Sequence, residues 1–316
     1  ARAAIAALIE RLGQTHFSLI PSDLYQLLDD GGTPSSGDTG IRVRVLDSRA
    51  IVSSVVRGSP AARAGVRPGW EIVRLGGVEI RPRLERLVRE LPETLLKSAD
   101  LASAVEGRLK GRTGESVTLT IGTGDGGLRE LTVPFETPQG VRTIVGHLPP
   151  VWIRAETREL PGGIGYFALS GFANPVYVMD EFGKAVERFR NAAGLVIDLR
   201  GNQGGAGNIV MGMLGWLATA RDRQVGTVVR RGLTMKIIVQ RRPSPFERPV
   251  AVLVDGLSVS GSEVFAAALQ DMGRARIFGS RTAGAVLGST VERLPNGDRF
   301  QYAFSDYVSA TGRRLE

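Results

Sequence analysis

Apolar and polar positions repeat along this 316-residue chain with two different textures, and the texture changes near residue 140. In ARAAIAALIERLG, residues 1–13, Ile5, Leu8, Ile9 and Leu12 fall on one face at helical spacing, which predicts a helix. The stretch DDGGTPSSGDTG, residues 29–40, is polar and full of breakers and reads as a linker. Beyond it, the alternation in IRVRV and the apolar run AIVSSVV predict strands. In SPAARAGVRPGWEIVRLGGVEI, residues 59–80, Ser59 caps a short helix, Pro60 takes its first position and Gly65 ends it. A strand with Trp70, Ile72 and Val73 follows, closed by the Gly76-Gly77 turn. Residues 98–110 read as helical, and SVTLTIG and LRELTVPF as two closing strands.

The second texture alternates strand and helix. GIGYFAL is a predicted strand, VYVMDEFGKAVERFR a helix, GLVIDL a buried strand, IVMGMLGWLATA a helix, VAVLVD a strand and SEVFAAALQDMG a helix. Such alternation predicts a mostly parallel sheet covered by helices, with sites off the carboxyl ends of its strands. DLRGNQGG and DGLSVSGSE both occupy that position.

Composition narrows the chemistry. Apolar residues make up 42% of the chain and charged residues 23%, ordinary for a globular protein, and no apolar run reaches the ~18 residues of a membrane span. The net charge of +8 raises a nucleic-acid reading, but the basic residues are nearly all Arg, scattered, with few aromatics beside them and no nucleic-acid motif. A solvated basic surface is the reading taken. Zero cysteines exclude a disulfide scaffold, a thiolate zinc site and a cysteine nucleophile, and two histidines, His16 and His147, exclude a histidine-rich metal site. The chain opens inside a helical pattern without an initiator methionine or a signal peptide, which reads as a mature or trimmed fragment.

Two loops carry candidate chemistry. Ser260 stands where strand meets helix in VDGLSVSGSEVFAAAL, so its hydroxyl and the Gly261 amide share a crevice. A serine nucleophile needs a base and an oxyanion hole. The same Ser260-Gly-Ser-Glu263 also spells a helix capping box, and the two readings coexist. DLRGNQGGAGN, residues 198–208, holds four glycines within seven positions, more than a strand-to-helix turn requires. Glycine at such density marks close approach of one backbone to another group.

Taken together, GLVIDLRGNQGG, LVDGLSVSGSEVFAAALQDMGRARIFGSRTAGA and the SPAARAG segment resemble the C-terminal processing, or tail-specific, serine peptidases. The resemblance covers nearly the whole chain. It implies an α/β, crotonase-like core with an inserted PDZ-like β domain and a short N-terminal helical segment. The corresponding divisions are residues 1–39, helical segment and linker; 40–137, PDZ domain; and 138–316, peptidase core. It also implies Ser260 as nucleophile, Gly261 and Gly205 as the oxyanion hole, and Gly40, Ile41, Arg42 and Val43 as a PDZ loop that receives a peptide carboxylate.

One departure redirects the mechanism. Processing peptidases carry a lysine base in a G..T.GK stretch and a glutamine four residues on; here Ala285 and Ser289 stand there. The resemblance to tricorn-type core peptidases supplies another base, His16 of the Thr15-His16 pair, oriented by Glu316. Imidazole has a pKa near 6.5, suited to accepting the serine proton at neutral pH, and Glu316 is expected to raise it somewhat. Asp306 is an alternative acid.

These readings imply a serine endopeptidase that cleaves proteins or peptides near unstructured C-termini, without metal or cofactor. Its partners are substrates with an exposed C-terminus, with no nucleic acid and no stable membrane insertion. The family resemblance implies a periplasmic, envelope or secreted location. Two alternatives stand beside it. One is a catalytically silent, PDZ-bearing peptide-binding scaffold; the other is a crotonase-like acyl-CoA enzyme, which fits the core but not the SGSE motif.

Overall fold

The computed structural model describes residues 2–20, 22, 36–90, 97–148 and 150–316. The part of the linker reading from residue 29 to 35 lies outside the described residues. The chain separates into two compact units: Ala1–Ser22 with Gln139–Glu316, and Asp23–Pro138.

The larger unit is built on a five-stranded sheet in the order Ala155–Leu160, Ile164–Leu169, Gly194–Asp198, Val250–Val254 and Ala275–Gly279. The first strand is antiparallel to the second, and the rest run parallel. A central parallel strand has both faces covered and needs apolar residues on both. Gly194–Asp198 meets that demand, with Leu195 and Ile197 buried in the core. Each crossover advances one strand in the same direction, and right-handed connections therefore set their helices on one face. Pro175–Arg188, Gly207–Gly215 and Gly261–Asp271 pack side by side in that order. Phe167, Phe172, Phe182 and Phe265 are fully buried between these layers, each contributing roughly 1.5–3 kcal/mol of burial. Phe167 and Phe182 meet edge to face at 5.1 Å.

The helix expected over IVMGMLGWLATA is shorter, Gly207–Gly215. At Gly215 the chain passes so close to the next segment that a Cβ there would lie 2.7 Å from the Gln240 carbonyl oxygen. Only glycine fits that approach, and the helix ends there.

A second, antiparallel sheet completes this unit and was not foreseen in the alternation. Its order is Ser18–Ile20, Arg299–Ser309, Arg223–Arg230 and Leu233–Val239, with Gly288–Arg293 also paired to Arg299–Ser309. The N-terminal helix, Arg2–Glu10, precedes it; the apolar face read from the sequence leaves Leu8 and Ile5 exposed.

The smaller unit is a six-stranded antiparallel sheet ordered Ile41–Leu46, Arg49–Val55, Glu71–Leu75, Ser116–Gly122 and Leu128–Pro134, with Val78–Glu79 on Glu71–Leu75. Val117, Leu119 and Ile121 alternate inward along one strand, as a half-buried strand requires. Ser59 caps the helix Pro60–Arg63 by accepting from Ala62 N at 3.3 Å. The segment 98–110 forms a helix, Lys97–Glu106, followed by a 3₁₀ turn, Gly107–Leu109. That helix packs against Ile41–Leu46 at the edge of the sheet.

Candidate active site

Strand Val250–Val254 delivers the chain to a turn that ends at Ser260, the residue before the helix Gly261–Asp271. Ser260 has φ 55° and ψ −113°, a left-handed conformation that a residue with a Cβ rarely adopts. Surrounding hydrogen bonds hold it there. Ser260 N donates to Ala285 O at 2.9 Å and to Glu263 Oε2 at 2.9 Å. The second bond is the glutamate half of the capping box, so cap and candidate nucleophile share one turn.

The glycine loop lies against this turn. A Cβ on Gly204, φ 88°, would come within 2.6 Å of Val259 O, 2.7 Å of Gly261 N and 2.8 Å of Ser260 Cβ. A Cβ on Gly205, φ 137°, would fall 2.2 Å from Phe172 O. Of the four glycines, Gly204 is therefore required by the Ser260 turn and Gly205 by the Phe172 backbone, Gly201 has a positive φ of 71°, and Gly207 has open space where a Cβ would stand. Gly205 and Gly261 adjoin: Gly205 N lies 3.4 Å from where a Gly261 Cβ would be. Neither amide donates to another group among the described residues.

Buried Asn202 locks the two loops together. Its carbonyl oxygen accepts from Val259 N at 3.0 Å and Ser262 Oγ at 2.8 Å, its Nδ2 donates to Leu169 O, and its Oδ1 accepts from Gly204 N. Every polar atom of this fully buried side chain is satisfied, as a buried amide requires. Asp198 and Arg200 of the same motif form a frame instead. Arg200 grips Asp198 through both carboxylate oxygens, and Tyr166 Oη donates to Asp198 Oδ2 at 2.7 Å.

The pairing of Ser18–Ile20 with residues 299–301 brings the chain's two ends together. Thr15 N and Thr15 Oγ1 both donate to Glu316 Oε1, and Thr15 Oγ1 lies 2.8 Å from His16 Nδ1. The threonine hydroxyl has one proton and gives it to the carboxylate, so it accepts from His16 Nδ1–H. The tautomer follows: His16 Nε2 is the bare nitrogen. Glu316 therefore reaches the imidazole through Thr15. The sequence reading named Thr15 only as the neighbour of His16 and gave it no part in this link. His16 has φ 60°, a second left-handed residue with a side chain.

Glu316 also accepts from Val286 N, at 2.8 Å through Oε2. Val286 follows Ala285, whose carbonyl holds Ser260 N, so one peptide step links the His16 arm to the serine turn. Burial lowers the His16 pKa below its ordinary 6.5, outweighing the raising influence of Glu316. The expectation of a raised value is corrected: desolvation of the imidazolium is the larger effect. Ala285 is fully buried, and its amide donates to Glu263. Asp306 is engaged by Arg314 and by Tyr307 N.

Residues 163–316 match the sequence pattern of peptidase family S41. The whole chain is 27% identical to carboxyl-terminal-processing peptidase 3, chloroplastic, of Arabidopsis thaliana, covering 99% of this chain and 57% of that protein. It is 25% identical to the carboxy-terminal processing protease CtpB of Bacillus subtilis strain 168, covering 93% and 56%. The chain thus spans just over half the length of these relatives. Among solved structures, the photosystem II D1 C-terminal processing protease superposes with a TM-score of 0.59 at 21% identity, covering 100% of this chain and 78% of that one. Mature CPAF gives 0.58 at 16%, covering 100% and 80%. The fold is thus a mixed α/β fold similar to S41 processing proteases.

In the smaller unit, the loop expected to receive a carboxylate has acceptors of its own. Gly40 N donates to Asp38 Oδ1 at 2.6 Å, Ile41 N to Thr39 Oγ1 at 3.4 Å and Val43 N to Glu106 Oε1 at 3.1 Å. Arg42 bridges Asp38 and Glu106. Burial raises the Glu106 carboxyl above its ordinary value, against the pull of Arg42. The segment that matches the S41 pattern thus has two amides, Gly205 N and Gly261 N, that donate to no group among the described residues, while the amides of Gly40, Ile41 and Val43 are internally bound.

Proposed function

We propose that this chain is a serine endopeptidase of crotonase-like fold that cleaves proteins near unstructured C-termini through an acyl-enzyme. The observation that carries the reading is the Thr15 bridge: it links Glu316 to His16 Nδ1 and leaves Nε2 free as a base. Ser260 Oγ attacks the scissile carbonyl while its proton passes to His16 Nε2. The oxyanion accepts from Gly205 N and Gly261 N, the latter at the positive end of a helix. Collapse expels the amine, which takes the proton from His16. Water then attacks the ester as His16 accepts its proton, and the acid product leaves as that proton returns to Ser260. The names of the processing peptidases similar to this chain support C-terminal segments as substrates, and the chloroplastic name of one supports a location outside the cytosol, read here as periplasm, envelope or secreted. Among the described residues no helix is long and apolar enough to cross a membrane.

The silent-scaffold alternative is separated by fluorophosphonate labelling of the full chain. We expect one adduct, mapped by peptide mass spectrometry to Ser260; no adduct under conditions that label a control serine peptidase favours the scaffold.

The smaller unit we read as a PDZ domain with residues Gly40 to Val43 as its carboxylate loop. A peptide carboxylate must there displace Asp38 or Glu106, so capture competes with internal acceptors. A hydrophobic peptide with a free C-terminus is expected to bind the full chain more tightly than its C-terminal amide, because only the anion matches those donors. Equal affinities by calorimetry would remove the loop from substrate capture.

A further inference from the structure

Glu263 sits at the third position of the helix Gly261–Asp271 and is 3% exposed. A capping box asks one thing of it, to accept from the backbone amide of the cap residue. Its carboxylate accepts two further amides: Gly284 N at 2.7 Å through Oε1, and Ala285 N at 2.9 Å through Oε2. The next amide, Val286 N, goes to Glu316. Three consecutive N–H groups, 284 to 286, are thus divided between two carboxylates. One carboxylate is tied to the serine backbone, the other to the Thr15–His16 arm.

We propose that Glu263 is a positioning residue that sets the spacing of nucleophile and base by clamping segment 284–286 onto the Ser260 turn. The proposal rests on Ser260 and His16 having the roles given above. Neither half of the clamp suffices alone. The helix cap fixes Ser260 to its own helix, and the Glu316–Val286 bond fixes the base arm to the segment. Ala283 N donates to Ser258 O earlier in the turn, but at residues 284–286 it is the Glu263 bonds to Gly284 and Ala285, with Ser260 N on Ala285 O, that join segment to serine. The backbone strain at Ser260 needs such an outside restraint to persist. The residue at 285 then matters for its backbone, and an alanine serves where a lysine base is absent.

Glu263→Gln is the direct test. A glutamine keeps the length of the side chain but has one acceptor oxygen for three donors, and its NH₂ faces an N–H. On the full chain, the maximal rate of fluorophosphonate inactivation is expected to fall about 10²-fold, the scale of a misplacement near 1 Å, with the probe's saturation constant unchanged. The midpoint of the pH–rate profile should stay at the wild-type value, because the surroundings of His16 are intact, whereas Glu316→Gln should move it further down. If Glu263→Gln is too unstable to assay, Glu263→Asp, which keeps the charge but falls short of Gly284, is measured the same way. A folded variant with the wild-type maximal rate overturns the clamp, as does failure of both variants to fold, which would make Glu263 a stability residue only. Ser260→Ala that still reacts at the active site would instead overturn the nucleophile itself.

Discussion

Ser260→Ala is expected to lower peptide hydrolysis by about 10⁴-fold or more and to leave the fold intact. Both bonds that pin the serine, to Ala285 O and Glu263 Oε2, come from its backbone N–H and survive the substitution. The left-handed conformation is as strained for alanine as for serine, so the change costs at most the cap contribution of about 1 kcal/mol. Gly205 N and Gly261 N remain in place, and a residual acceleration from the oxyanion site is expected. The check is hydrolysis of an unfolded protein substrate by the full chain, beside a thermal melt of the same variant. Wild-type hydrolysis would sink Ser260 as the nucleophile. Ser262 is no ready substitute, being fully buried with its hydroxyl donated to Asn202 O.

The parts of this site that could be read from sequence are those whose cause is local. A helix cap, a glycine that must tolerate positive φ and a strand with both faces covered each write their requirement within a few residues. Ser260, Gly205 and the Gly261–Asp271 helix were therefore visible in the motifs. The second sheet was not, because Ser18–Ile20 is three residues long and has no pattern until it meets residues 299–301. The Thr15–Glu316 bond spans almost the whole chain, and nothing in either neighbourhood announces the other. Glu263 was visible only as a cap: its bonds to Gly284 and Ala285 depend on how residues 280–288 return past the helix. The direction of the His16 shift was misjudged for the same reason. Charge proximity can be guessed from a motif, whereas burial is a property of the assembled fold.

His16→Ala is expected to cost a similar factor, about 10⁴-fold or more, since Ser260 keeps its oxyanion donors but loses its proton acceptor. The wild-type pH profile makes the assignment specific. Neutral imidazole is the working form, and burial holds the folded pKa below 6.5, so the acylation rate should rise with pH through one midpoint below 6.5 and then level off. Glu316 opposes burial, so Glu316→Gln should carry the midpoint lower still. Stability shares this sign. The unfolded chain binds a proton at 6.5 and the folded chain only at lower pH, so stability is lost as pH falls through the window below 6.5. His16→Ala should flatten that part of the stability curve as well as remove the rate. A midpoint above 6.5, or a His16→Ala variant that cleaves as fast as the parent, would place the base elsewhere. Loss of rate with an unchanged acid limb of stability would leave His16 as the base but put its titration outside the buried position that the Thr15 bridge defines.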